Sequence, residues 1–202
     1  YTNTSGSQNT SMGSYSMLSN VSGSCNTAIG HSALYSNLAD YNTALGFWSL
    51  KNNNTGTNNS SVGSYSLRSN ITGNYNSALG MYSLYFNSSG FQNTAVGTYS
   101  LYSSNGNYNT ALGFTAGSSA STGNNLTCIG YNAQPTSGSA INQITLGDGQ
   151  VSSLRCNVTT ITSLSDMRDK KNITNLNLGI DFLMKIKPRL FNWDKREWYD
   201  NK

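Results

Sequence analysis

The sequence predicts an all-β fold, a parallel β-roll or β-solenoid of coils about 17 residues long, followed by a small α+β C-terminal segment. Two observations carry the solenoid. An aliphatic residue followed by glycine returns at Met12-Gly13, Ile29-Gly30, Leu45-Gly46, Val62-Gly63, Leu79-Gly80, Val96-Gly97, Leu112-Gly113, Ile129-Gly130 and Leu146-Gly147. The steps between these glycines are 17, 16, 17, 17, 17, 16, 17 and 17 residues, and a fixed short period means stacked units rather than one folded core. A third observation, a break in composition near Ser165, sets off the tail. Only Asp40, Lys51, Arg68, Asp148 and Arg155 are charged before it, against nine Lys/Arg and six Asp/Glu from Asp166 to the end.

Within a coil, position −4 from the glycine is Asn9, Asn26, Asn42, Asn59, Asn76, Asn93 and Asn109, and position −3 is Thr or Ser. Position −1 is aliphatic, position +4 is Met17, Leu34, Leu50, Leu67, Leu84 and Leu101, and a second glycine recurs near +10. Each unit is therefore expected to contain a short strand, a turn at the glycine, a second short strand and a looser turn. Coils stacked about 4.8 Å apart place equivalent side chains over one another, so nine coils span roughly 38 Å. The aliphatic column becomes an apolar seam and the Asn column an amide ladder, each amide donating to the next. With only two reliable large apolar residues per coil, the interior is thin. Three chains packing their seams on a common axis would complete it, and a homotrimer is expected.

The motif Asn-Thr-Ala-Ile-Gly-His-Ser-Ala at 26–33 resembles the head repeat of YadA-type trimeric autotransporter adhesins. That resemblance covers about 9–147 and implies left-handed parallel β-rolls assembled as trimers, although the family's period is somewhat shorter.

Aromatic residues come after the glycine turn, with Trp48, Tyr65, Tyr82 and Tyr99 as candidate surface-binding residues, alongside Tyr15, Phe47 and Phe114. One reading is a ladder on which sugar rings stack; the other is packing at a coil corner. His31 reads as an exposed turn residue. Cys128 reads as a small buried thiol in an alanine column, and the three cysteines (Cys25, Cys128, Cys156) have neither metal-site spacing nor need of a disulfide framework. No cofactor or metal site is expected. The net charge of +4 mixes signs in the tail, so no nucleic-acid stripe forms. No run of about 18 apolar residues exists for membrane insertion. Only Asp40 and Asp148 are acidic in the repeats, which disfavours a glycosidase acting on an external polymer, since that chemistry needs paired carboxylates.

Near the end of the repeat, 118–125 is rich in small polar residues, Leu126 replaces the column Asn, and Pro135 interrupts the next stretch; the last coils are expected to loosen. Ile144, Leu146, Val151, Leu154, Cys156, Val158 and Ile161 have mostly alternate spacing and predict extended strands with one buried face in a neck. The expected domains are 1–147 (repeat), 148–164 (neck) and 165–202 (C-terminal segment). A helix over about 178–185, capped by Asn177 and ended at Lys187-Pro188, precedes a strand at 190–193.

Ser165-Asp166-x-Arg168-x-Lys170-x-x-Ile173 resembles the start of the intramolecular chaperone domain of phage tail spikes and fibres, the peptidase S74 family. The later Gly-Ile-Asp-Phe-Leu, Lys-Pro and Phe-x-Trp elements keep that family's order. The resemblance implies a C-terminal device that trimerises, sets the register of three fibre chains and cuts itself off. Ser165 would be the nucleophile and Lys170 its base, with Asp166, Arg168 and Ile173 as signature residues. It also implies a virion tail fibre that contacts a host-surface glycan or protein and other tail proteins. A bacterial or giant-virus surface adhesin built on the same repeat is the alternative. The chain starts at Tyr1 inside a repeat and ends 37 residues past Ser165, so it is expected to be part of a longer protein.

Overall fold

A computed structural model describes residues 3–155; the compact unit that carries the repeat ends at Leu154. Ser165, Asp166, Arg168, Lys170, Ile173, the expected helix and strand of the tail, and Cys156, Val158 and Ile161 of the expected neck lie outside the described residues.

The repeat folds as an all-β solenoid. Its nine strands are β1 (Thr10–Met12), β2 (Thr27–Ile29), β3 (Thr43–Leu45), β4 (Ser60–Val62), β5 (Ser77–Leu79), β6 (Thr94–Val96), β7 (Thr110–Leu112), β8 (Asn124–Ile129) and β9 (Ile141–Leu146). They form one parallel sheet in sequence order. Equivalent positions pair one coil to the next: Thr27 with Thr43, Ala28 with Ala44, Ile29 with Leu45. No helix occurs among the described residues.

The expected second strand is absent. Residues at +2 and +4 hold positive φ in coil after coil, as in Tyr65 (61°) and Leu67 (48°), and so do those at −5, as in Tyr75 (57°). A left-handed residue bends the chain out of the β region, so the stretch after the glycine is a run of turns. Such a conformation costs about 1 kcal/mol or more for a residue with a Cβ. Each is fixed by a bond to a neighbouring coil: Tyr65 N–H donates to Phe47 O (2.8 Å), Leu67 N–H to Ser83 O (2.9 Å) and Tyr75 N–H to Thr57 O (3.0 Å).

The glycine itself stands where coils touch. Gly80 has φ of 138°, and a Cβ there would lie 2.6 Å from the carbonyl carbon and oxygen of Gly97. No side chain fits that approach.

The interior holds two apolar columns and two polar ones. Leu34, Leu50, Leu67, Leu84 and Leu101 are fully buried at +4, and Ala28, Ala44, Ala78, Ala95 and Ala111 are buried at −2. The −4 asparagines from Asn26 to Asn109 are also buried, but their ladder is built differently from the expected amide-to-amide chain. Each Oδ1 accepts the backbone N–H of the next column residue, as from Asn59 to Asn42 (3.0 Å) and from Asn76 to Asn59 (3.0 Å). Each Nδ2 crosses its coil to a carbonyl fourteen or so residues on, as from Asn42 to Gly56 O (2.8 Å). Direct amide-to-amide bonds accompany this in the middle coils, such as Asn93 to Asn76 (3.0 Å).

A second buried asparagine column runs at +7 through Asn20, Asn37, Asn53, Asn70 and Asn87. Here the amides do donate to one another: Asn53 to Asn37 (2.6 Å), Asn70 to Asn53 (2.7 Å), Asn87 to Asn70 (3.0 Å). The same Nδ2 groups also donate to the +10 carbonyl, so Gly56 O receives both Asn42 and Asn53 at 2.8 Å. A Cβ on Gly56 would sit 2.5 Å from Asn53 Oδ1 and 2.6 Å from Asn70 Nδ2, so no side chain fits there, whereas in the preceding coil Ala39 O receives the corresponding pair, Asn26 (2.9 Å) and Asn37 (2.6 Å).

The C-terminal coils differ from expectation. They do not loosen: β8 and β9 lengthen to six residues each. Leu126 is buried, and its N–H still closes the ladder on Asn109 Oδ1 (3.0 Å). The expected neck strand does not extend past Leu146 among the described residues, and Val151 and Leu154 are exposed there. With Gly147, Asp148 and Gly149 in succession, the chain turns instead of continuing the ladder.

The +7 ladder ends at Ser104, which is buried and leaves its own Oγ and Asn87 Oδ1 without partners. Ser104→Asn should supply the missing donor to Asn87 and a second amide to Gly106 O, raising stability by about 1 kcal/mol. Asn53→Ala, which leaves neighbouring amides unpartnered inside, should lower it by about 2 kcal/mol. Chemical denaturation of the two variants against the parent chain measures both.

Candidate functional site

Two outward faces carry what the interior does not use. In strands only three residues long, −2 points in and −3 and −1 point out. The sheet therefore shows solvent a row of Thr/Ser beside a row of Met12, Ile29, Leu45, Val62, Leu79, Val96, Leu112, Ile129 and Leu146. The aliphatic seam is continuous, as the sequence predicts, but it lies on the outside: Leu79 is 51% exposed and Leu112 50%. A groove of about 260 Å³ lies on this face over β4 to β6, lined by Val62, Leu79 and Val96.

The second face lies beyond the glycine corner and is aromatic. The candidate binding residues Trp48, Tyr65, Tyr82 and Tyr99 are brought into one file, each half-buried. Tyr65 and Tyr82 stack with centroids 4.8 Å apart, and Tyr82 and Tyr99 at 5.1 Å, both pairs nearly parallel. Trp48 meets Tyr65 edge-on at 5.5 Å. The coil spacing itself sets these distances, because side chains at one position repeat at the sheet step. The file continues through Phe47 and His31 to Tyr15 at one end, and through Phe114 to Tyr131 at the other. His31 is exposed, as expected of a turn residue, but it also stacks on Phe47 (5.2 Å).

A parallel column at +5, not singled out from the sequence, runs beside this file. Tyr85 stacks on Tyr102 at 5.4 Å. Lys51 Nζ lies 3.8 Å from the Trp48 ring, and the Arg68 guanidinium 5.0 Å from Trp48 and 5.5 Å from Tyr85. Arg68 Nη1 also donates to Tyr85 Oη (2.8 Å). Cations over aromatic faces are attracted by the ring quadrupole. Trp48 Nε1 and Arg68 Nε are enclosed without an acceptor, so this neighbourhood has donors to spare. The signal for this column is its period: Tyr35, Lys51, Arg68, Tyr85 and Tyr102 recur at 16 or 17 residues.

Other reactive groups serve the scaffold. Asp40 Oδ1 accepts the Ser24 N–H at 2.7 Å. Cys128 is buried, and burial raises its thiol pKa, which leaves it unreactive at neutral pH. Cys25 is a free thiol that donates to Gln8 Oε1 (2.9 Å). Among the described residues no group of His, Cys, Asp or Glu is able to hold a metal ion, and no helix is long and apolar enough to cross a membrane.

Desolvation within the file raises the Tyr82 phenol above its ordinary value of 10.0, and the neighbouring phenols Tyr65 and Tyr99 add to the effect. Burial, then Tyr85 and Tyr99, raises Tyr102 likewise. Between the ordinary and the raised value the unfolded chain has released the proton and the folded chain has kept it. Stability is therefore intact below pH 10 and falls as pH climbs above it. Thermal unfolding measured between about pH 9 and about pH 11 should show this decline, and Tyr82→Phe should reduce it.

A scan against protein-family models, a search of curated proteins and a search of solved structures each gave no match to this chain.

Proposed function

We propose that the protein is a structural fibre: a homotrimer whose solenoid displays an aromatic face for attachment to a host surface. The observation that carries this reading is the aliphatic seam, which runs along every strand and stays uncovered on the single chain. Parallel sheets are ordinarily covered on both faces, and an extended exposed apolar strip marks an interaction surface. Other copies of the same chain are the natural cover, because a seam with one period matches itself coil for coil. Three copies agree with the adhesin-head resemblance of the repeat.

The finer reading is a viral tail fibre whose C-terminal segment directs trimerisation and is able to cut itself. It rests on the Ser165, Asp166, Arg168, Lys170 and Ile173 motif. A serine hydroxyl attacks only when a base takes its proton, and a lysine with a pKa lowered by burial can serve. The repeat supplies a reason for such a device. Identical columns allow one chain to slip by a whole coil and still pair aliphatic with aliphatic.

Sedimentation of the full chain should give three times the monomer mass. Leu79→Asp, which places a charge in the seam and touches nothing inside, should shift it to the monomer; a monomeric parent chain would overturn the assembly. For the tail, expression from the full-length gene should give two products in the parent and one in Ser165→Ala. Identical products in both would remove Ser165 from the mechanism.

A further inference from the structure

The +2 column of the aromatic file has one gap. The +2 position holds Tyr15, Ser32, Trp48, Tyr65, Tyr82 and Tyr99 in successive coils, so the second coil alone among these lacks a ring. The backbone there is the same as its neighbours': φ is 53° at Ser32, 58° at Tyr15 and 57° at Trp48. The Ser32 N–H keeps the usual bond to the preceding coil, at Ser14 O (2.9 Å). The +2 ring is missing, and the His31 ring at +1 takes part of its layer, 5.6 Å from Tyr15 and 5.2 Å from Phe47. A cavity of about 360 Å³ opens at this place, lined by Tyr15, His31, Ser32, Tyr35, Trp48 and Lys51.

Its dimensions and chemistry select a ligand. Tyr15 and Trp48 stand two coil steps apart, about 9.6 Å, and the cavity opens beside His31 in the layer between them. Where the file is complete, rings fill such layers at 4.8 and 5.1 Å. A pyranose, whose C–H faces pack on aromatic rings, has the thickness for that layer. The floor is polar, with Ser32 Oγ and His31 Nδ1 3.1 Å apart, and suits hydroxyl groups. One wall carries charge. Lys51 and Arg68 are two of the three Lys/Arg residues among those described, and both lie beside Trp48. Lys51 Nζ lies over two rings, those of Trp48 and Tyr35.

We propose that the slot between Tyr15 and Trp48 binds one carboxylated pyranose of an acidic polysaccharide, its ring packed beside His31 against these aromatic walls and its carboxylate on Lys51 Nζ. The site gives the attachment reading a ligand class and rests on that reading for its biological role.

Calorimetric titration of the full chain with a glucuronate-containing tetrasaccharide and with the neutral glucose tetrasaccharide tests it. The acidic sugar should bind about tenfold tighter, the worth of a charge-assisted bond. Lys51→Gln should erase that preference. Ser32→Tyr restores the residue type found at Tyr15, on a backbone of nearly the same φ (53° against 58°), so its ring takes the place of the sugar. It should abolish binding while leaving the sedimenting mass unchanged. Equal affinity for the two sugars, undiminished binding by Ser32→Tyr, or tighter binding of adenosine monophosphate than of the acidic sugar would each overturn the proposal. A trimer that binds neither sugar removes the slot and leaves the fibre reading standing. A monomer whose acidic-sugar binding is lost in Ser32→Tyr removes the fibre and leaves the slot.

Discussion

The bond from an asparagine Oδ1 to the backbone N–H of the next coil is the constraint on which this solenoid depends. It ties a side chain to a backbone at the same column position, so it forms only when successive coils are in step. The other end of each amide reaches across to the +10 carbonyl and closes the coil on itself. One residue type thus fixes the distance between coils and the shape of each coil. A buried amide without partners costs several kcal/mol, so a coil displaced from its register loses on both counts. The leucine and alanine columns fill the remaining space but impose no comparable geometry, since apolar contact is not directional.

That constraint explains how the chain tolerates three left-handed positions in nearly every coil. Tyrosine, tryptophan and leucine are poor choices for positive φ in an isolated turn. Here the peptide groups are held from above and below by the neighbouring coils, and the conformation is repeated rather than exceptional. The same repetition projects the +2 side chains outward at the coil spacing, which is also a good stacking distance for rings. The aromatic face is therefore a by-product of the geometry that the interior demands, and the uncovered aliphatic seam is its counterpart on the strand side.

The solenoid, its period, the −4 asparagines and the aromatic file are legible because each is a column in the sequence. The +7 asparagines at Asn20, Asn37, Asn53, Asn70 and Asn87 recur just as regularly but sit between less regular neighbours, and they are told apart from loop residues only by their burial. The second strand fails for a physical reason. Small polar and aromatic residues such as Ser64-Tyr65-Ser66 suit a strand by propensity, and nothing in their identity signals a left-handed backbone imposed by stacking. The orientation of the −1 column depends on which way three-residue strands face, and alternation alone leaves that sign open. The Ser32 slot is visible as a missing tyrosine, yet a gap in a column acquires meaning only once the rings on either side are known to stack.

Leu126 gives the amide ladder a stop. It takes the column's place in the coil, completes the bond owed to Asn109, and offers no side-chain oxygen to a later coil. Coils between Asn9 and Asn109 share the −4 asparagine and the carbonyl it reaches, so duplication or deletion of a whole coil leaves this ladder continuous. Each such event changes the solenoid's length by about 4.8 Å. The repeat therefore works as a genetic ruler, with its graduations in the asparagines and its end mark at Leu126.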